Sequence, residues 1–403
     1  MIKRELYMKR IRPFMGKDIV KVLTGIRRCG KSVMLELIKE ELLEQGIEKS
    51  CILSINFETR ALDYVKDVES AYRFIQSYAK KIKQKLILLL DEVQELKDWE
   101  RMINSCMIDF DVDIYITGSN AKMLSGELAT YLGGRYVEFK IYPFSYEEAS
   151  RLLEKEGGYA PQEAFRIYLE RGGMPFLYQY QLDGTSGRQY LEDVYSSIIL
   201  KDIAQRNQIR DMEQLKRVLL YFIANVGNPF SASSITRYLK SENRSISTET
   251  LYNYIDYCKT ACLLHLVPRE DVIGKQLLKF QEKIYLTDHG IREAVYGNNM
   301  RDVNQILENI VYMELLRRGY EVRVGKAGAL EVDFAARRGS ERLYVQVSYL
   351  LASDETMERE FGVLERIGDN YPKYVVTMDE ITRSRNGIKH KNIKEFLLME
   401  EYV

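Results

Sequence analysis

Residues 25–32 read Gly-Ile-Arg-Arg-Cys-Gly-Lys-Ser, inside the longer stretch Asp18–Gly46, "DIVKVLTGIRRCGKSVMLELIKEELLEQG". An apolar run of β character, Ile19 to Leu23, precedes these eight residues, and an amphipathic helical pattern follows them and stops at Gly46. The spacing G-x-x-x-x-G-K-[ST] between a strand and a helix is that of a loop wrapped around phosphate. Gly25 and Gly30 let the loop amides, those of Arg28 and Cys29 among them, turn inward on phosphate oxygens, and the helix N-terminus adds partial positive charge. Lys31 is then expected to reach the β- and γ-phosphates, and the Ser32 hydroxyl to ligate Mg²⁺. The fold that carries such a loop is a doubly wound α/β domain on a parallel sheet.

Magnesium and hydrolysis call for acids downstream. "KLILLLDEVQ" (Lys85 to Gln94) gives five apolar residues, Leu86 to Leu90, the pattern of a strand buried on both faces, and ends it in Asp91 and Glu92. Asp91 is expected to hold the metal's water shell, and Glu92 to orient or deprotonate the attacking water. "VDIYITGSNAKML" (Val112 to Leu124) reads as a further strand ending in small polar residues. In P-loop ATPases with an extra central strand, that end lies between the phosphate loop and the acid pair, so Asn120 first and Ser119 second are expected to sense the γ-phosphate. Arg135, behind Gly133 and Gly134, has the fixed fork that neutralises charge in phosphoryl transfer, in its own subunit or across an oligomer interface.

These pieces, together with "LGGRYVEFKIYPFSYEE" (Leu132 to Glu148), "YLERGGMPFLY" (Tyr168 to Tyr178) and "LKDIAQR" (Leu200 to Arg206), resemble the prokaryotic AAA-type ATPases whose P-loop domain is fused to a C-terminal domain of unknown function, DUF4143. The similarity runs over nearly the whole chain. It implies ATP with Mg²⁺ rather than GTP, since no guanine-reading N-K-x-D stands in a suitable place.

With 403 residues there is room for two to four domains at roughly 100 to 200 residues each. The reading is a P-loop domain over 1–150, a helical lid and linker over 151–205 between turn-rich segments, a winged helix over 206–295 and an αβ module over 296–403. Lid arginines often meet nucleotide, which makes Arg171 a candidate beside its structural reading as an ion-pair partner. Lys plus Arg and Asp plus Glu both number 59, so any nucleic-acid face has to be local. No run of about 18 apolar residues occurs and the N-terminus is interrupted by charges, which leads to the expectation of a cytoplasmic protein without a membrane span. The cysteines Cys29, Cys51, Cys106, Cys258 and Cys262 lack framework spacing and fit a reducing compartment, with Cys258 and Cys262 read as helix packing rather than metal ligands.

Two amphipathic helices, 211–227 and 231–241, precede "SISTETLYNYIDYCKTACLLHLV" (Ser245 to Val267), which opens with a Ser/Thr cap, and two β runs follow. This order reads as a winged helix-turn-helix. Its groove-facing helix offers Thr248, Glu249, Tyr252, Asn253 and Tyr254, so phosphate attraction would rest on Arg237, Lys240, Arg244 and the wing lysines Lys275, Lys279 and Lys283.

The last segment has the order αβββαβ and resembles the PD-(D/E)xK nuclease superfamily. The resemblance places Glu308 on the helix, Asp333 on the second strand, and the E-x-K positions at Gln346-Val347-Ser348. Glutamine offers a neutral oxygen and serine no base at useful pH; Arg359 or Arg366 cannot deprotonate to replace the lysine. The expectation is a nuclease shape without the chemistry, its Gln and Ser satisfying their own hydrogen bonds. Three functions follow in order: an ATPase coupled to duplex or branched DNA, a signalling or stress-response ATPase that docks proteins, and an active Mg²⁺-dependent nuclease. A homo-oligomer is required if Arg135 acts in trans.

Overall fold

The computed structural model describes residues 2–59, 67–120, 132–241, 244–274, 276–297 and 302–402. Residues 121–124 of the expected sensor segment, Lys275 and most of the linker before 302 lie outside them. The chain forms two compact units, one of residues 1–143 with 260–262, the other of 144–259 with 263–403.

The first unit is built on five parallel strands, β1 (Val20–Thr24), β2 (Ile52–Asn56), β3 (Leu86–Asp91), β4 (Val112–Gly118) and β5 (Tyr136–Lys140), in the order β2-β3-β4-β1-β5. Its described residues also form helices α1 (Glu5–Ile11), α2 (Lys31–Glu44), α3 (Val68–Ala79) and α4 (Trp99–Asp109). β3 and β4 are buried at every position, which is why they read as continuous apolar runs instead of an alternation. Their side chains pack with Trp99, Met102, Ile103 and Cys106 of α4 and Ala71 and Ile75 of α3 into one core. β4 stands between β3 and β1, the extra central strand expected from the sequence.

The second unit begins earlier than the boundary drawn at residue 150. Ser145 accepts the Glu148 backbone N–H while Glu148 reaches back to the Ser145 N–H, and this reciprocal cap starts α5 (Tyr146–Gly157), so a break at 150 would cut a helix. Helices α6 (Pro161–Arg171), α7 (Pro175–Gln179) and α8 (Gly184–Ser197) follow, the last running into a π-helical stretch, Ile198–Gln205. Next come α9 (Met212–Ala224), α10 (Ala232–Ser241), α11 (Thr248–Thr260), the antiparallel pair β6 (Leu264–Asp271) and β7 (Gln276–Leu286), then α12 (His289–Tyr296) and α13 (Val303–Arg317). The chain ends with β8 (Glu321–Ala327), β9 (Leu330–Arg338), β10 (Glu341–Val347), α14 (Asp354–Glu365), β11 (Lys373–Thr377), β12 (Lys389–Asn392) and α15 (Ile393–Leu398).

The helix, turn, helix and two-strand order is present, and Ser247 caps α11 by accepting the Thr250 N–H at 3.0 Å. The hairpin, however, is not a free wing. β6 pairs in parallel with β8, so a single seven-stranded sheet runs β12-β11-β10-β9-β8-β6-β7 across the boundary drawn at 295/296. Gly172, at φ +74°, lets the loop after α6 pass against Asp288 so closely that a Cβ there would fall 2.1 Å from the Asp288 carboxylate. All five cysteines are free thiols, and Cys258 is buried in packing as expected.

Candidate functional site

The phosphate loop leaves β1 at Thr24 and enters α2 at Lys31. Gly25 has φ +153°, and a Cβ there would stand 2.1 Å from the Ile141 carbonyl oxygen, so only glycine permits this approach of two backbones. Arg28 is exposed at the loop tip with φ +69°, and Gly30 follows with φ +101°; these left-handed residues turn the loop over the helix N-terminus. Cys29 is fully buried, its thiol against the Ile141 carbonyl at 3.2 Å, and burial raises its pKa, so it packs the loop. Arg4, buried at the N-terminus, donates to the Cys29 carbonyl at 3.2 Å and the Tyr142 carbonyl at 2.7 Å, a clamp on the loop from outside it.

Lys31 is buried at 4% exposure. Its Nζ donates to the Gly25 carbonyl at 3.2 Å and stands 3.7 Å from Glu92 Oε1. Asp91 ends β3, hydrogen-bonds the Ser32 side chain, accepts from Asn56 Nδ2 at 2.9 Å and accepts the Thr117 hydroxyl. Burial raises its pKa; the Thr117 and Ser32 hydrogen bonds work the other way. Glu92 adopts φ +53°, a strained value for a side-chain-bearing residue, and its N–H donates to Thr117 Oγ1 at 2.9 Å while Gln94 donates to its carboxylate. A cleft of about 320 Å³ opens beside these groups, lined by Ser32, Glu36, Asn56 and Asp91 among others.

Parallel pairing places Thr24 beside Gly118, which brings Ser119 and Asn120 to the same sheet edge as the phosphate loop. The expected set Lys31, Ser32, Asp91, Glu92, Ser119 and Asn120 is thus gathered at the C-terminal end of the strands, where open α/β sheets bind ligands. Arg135 is not among them. Its carbonyl accepts the Val20 N–H at 3.0 Å at the start of β1, about 13 Å of strand away from Thr24 at roughly 3.3 Å per residue, and its guanidinium donates to Leu132 O and Asn104 Oδ1. The expectation that it acts on phosphate in its own subunit is therefore corrected: the parallel register puts it at the opposite sheet edge. Two residues missed from sequence, Thr117 and Asn56, hold Asp91 in place. Each is a polar side chain at or near the last position of a strand next to β3, a signal visible once strand order is known.

In the second unit Glu308 on α13 and Asp333 on β9 lie close enough to act on each other's charge. Gln346 Oε1 accepts the Asp333 backbone N–H at 3.2 Å, and Asp333 Oδ2 accepts the Val347 N–H at 2.8 Å, so the glutamine serves the β9–β10 ladder. Ser348, 3% exposed, closes β10 with its N–H on the Val376 carbonyl. Arg359 is held by the Glu360 carboxylate at 2.6 Å. The wing reading of Lys283 is corrected: it is 4% exposed, and its Nζ lies 2.7 Å from Glu331, 3.3 Å from Glu308 and 3.8 Å from Asp333. Tyr254 of the groove-facing set is buried as well, whereas Thr248, Glu249, Tyr252 and Asn253 are exposed. Arg171 donates to the Leu182 backbone carbonyl within its own unit, where its structural reading had an ion pair.

A family model described as an AAA domain matches residues 17–150, and one described as a domain of unknown function, DUF8612, matches residues 162–302 in place of the expected DUF4143. An uncharacterized protein of Haemophilus influenzae is 38% identical over 94% of this chain and 93% of its own length. An uncharacterized protein of Methanocaldococcus jannaschii is 27% identical over 94% of this chain and 86% of its own. Among solved structures, the Walker-type ATPase of Pyrococcus abyssi superposes with a TM-score of 0.50 at 16% identity, covering 73% of this chain and 95% of that one. Among the described residues no helix is long and apolar enough to cross a membrane.

Proposed function

The chain belongs to one family with the Haemophilus influenzae protein, an AAA-type P-loop ATPase family, and from that premise we propose that it binds and hydrolyses ATP at the loop 25–32 and uses the cycle to switch its C-terminal unit. The observation that carries this is the meeting of Lys31, Ser32, Asp91 and Glu92 at one sheet edge. Magnesium fits the donor set, since Ser32 and Asp91 are already hydrogen-bonded to each other beside the cleft, and it would neutralise charge between phosphates. Lys31 exchanges its loop carbonyls for phosphate oxygens. Glu92, released from Lys31 by that exchange, is left to orient and deprotonate water. Asn120 and Ser119 read the γ-phosphate, and Arg135 contributes only in trans, which requires an oligomer.

The C-terminal unit is read as a winged helix merged with a nuclease-like sheet that does not cut. Burial of Lys283 and the 2.6 Å pairing of Arg244 with Glu213 withdraw two of the expected phosphate contacts. Arg237 and Lys240 remain exposed on α10 with Tyr238, and Tyr252 is exposed on α11. That surface favours docking of a protein over a duplex, with DNA association as the second reading. Titrating duplex and branched DNA across salt concentrations separates the two: the protein-docking reading expects no measurable binding at low salt, and a linear fall of log affinity with log salt would replace it by the DNA reading.

A further inference from the structure

The nuclease-like sheet gathers more acid than the sequence reading assigned to it. Glu308, Glu331 and Asp333 surround a single amine, Lys283, which arrives from β7, a strand outside the helix–three strands–helix–strand order. The amine has almost no access to water, and Tyr285, one pleat further along β7, donates its hydroxyl to Glu308 at 3.0 Å. Arg269 of β6 takes the outer side of Glu331 at 2.7 Å. Glu360 of α14 is 3% exposed, one of its oxygens is buried without a hydrogen-bond partner, and its charge acts on Asp333. Among the described residues no group of three or more acids, histidines or cysteines is spaced to hold a metal ion as the structure stands.

We propose that the Lys283 ammonium is a resident cation in the position a divalent metal would take among Glu308, Glu331 and Asp333, so that the pocket is closed to metal by one side chain and becomes a divalent-cation site when that amine is removed. The ammonium matches a metal in sign and in sitting between carboxylates from two elements, α13 and β9. It differs in being covalently anchored, so it neither exchanges nor activates water. Burial disfavours its charge, yet the Glu308, Asp333 and Glu331 carboxylates outweigh that and raise its pKa, which rules out service as a general base near neutrality. Taking the amine away leaves the Glu308, Glu331 and Asp333 carboxylates facing one another without it, and such acids need either protons or another cation.

This inference rests on the reading that the sheet does not cut, and two measurements keep the claims apart. Mn²⁺ binding without nucleotide is counted by electron paramagnetic resonance for the wild type, Asp333→Asn, Lys283→Met and the Lys283→Met/Asp333→Asn double variant. The result expected is the same count for the wild type and Asp333→Asn, with Lys283→Met gaining one bound Mn²⁺ per chain that the double variant loses. An Asp333-dependent Mn²⁺ in the wild type, or no gain in folded Lys283→Met, overturns the proposal; a Lys283→Met chain recovered folded only with Mn²⁺ supports it. If that variant folds in neither buffer, the comparison of wild type with Asp333→Asn decides alone. Mg²⁺-dependent nicking of plasmid by the wild type, abolished in Asp333→Asn, would overturn the non-cutting reading itself.

Discussion

The Thr117 hydroxyl donates to the Asp91 carboxylate and accepts the Glu92 backbone N–H at 2.9 Å, so one oxygen on β4 fixes both acids at the end of β3. Ser119 and Asn120 follow Thr117 by two and three residues, so the strand end that carries them is bonded to both acidic residues. Thr117→Val keeps the shape and removes both bonds. The expected outcome is a fall in ATP turnover of about 10- to 100-fold, the usual effect of losing a group that orients a metal ligand, with Thr117→Ser restoring most of it. Steady-state ATPase assays on both variants check this.

Glu92 is expected to carry water activation and little of the binding. Glu92→Gln should lower turnover by about 10²- to 10⁴-fold, the range of a general base, while ATP affinity stays within a few-fold of the wild type. Single-turnover hydrolysis beside equilibrium nucleotide binding separates the two effects. Unchanged turnover would assign the water to another group.

At the other end of the sheet Lys21 and Asp113, on the adjacent central strands β1 and β4, form an ion pair with no solvent exposure, and Gly16 N–H donates to the same carboxylate at 2.8 Å. Removing one partner strands the other charge in the core. Asp113→Ala is expected to lower stability by about 3–5 kcal/mol, and Lys21→Met combined with Asp113→Leu to recover most of it. Urea unfolding of the single and double variants measures both.

How much of this was legible in the sequence follows from how local each signal is. The loop 25–32, the acids 91 and 92 and the strand that feeds them are short chemical patterns whose meaning depends on residues next to them. The place of β4 could be stated because its polar end had to serve the same phosphate. Arg135 shows the limit: its spacing behind two glycines suits a catalytic arginine, but the parallel register of Val20 with Tyr136 carries it to the far edge. Lys283 shows it again, since only the pairing of β6 with β8 turns a wing lysine into the centre of an acid cluster. The breaks drawn at 150 and 295 reflect the same limit, since a capped helix and a continuous sheet cross them.

His289 starts α12 fully buried, its Nε2 2.7 Å from the Tyr168 carbonyl, and burial pushes its pKa down to about 4, with Arg317 and Arg292 acting the same way. Its neutral form is the one that folds. The stabilisation is therefore complete above the unfolded value near 6.5 and is lost as pH falls from there towards 4, by about 3 kcal/mol. Neighbouring Asp288, pushed up to about 7 by burial, works in the opposite sense but is common to both chains in a comparison with His289→Gln. Relative to that variant, the wild type should lose about 3 kcal/mol of unfolding free energy between pH 7 and pH 4 in parallel denaturation series.

The claim beneath all the rest is that the loop between β1 and α2 grips the phosphates of ATP. Titration calorimetry with ATP and Mg²⁺ tests it most directly when the wild type and Lys31→Ala are run side by side. The expected result is saturable binding of one nucleotide per wild-type chain and none by a Lys31→Ala chain of wild-type melting temperature; a wild type that binds no adenine nucleotide, or a variant that binds it equally well, contradicts the claim.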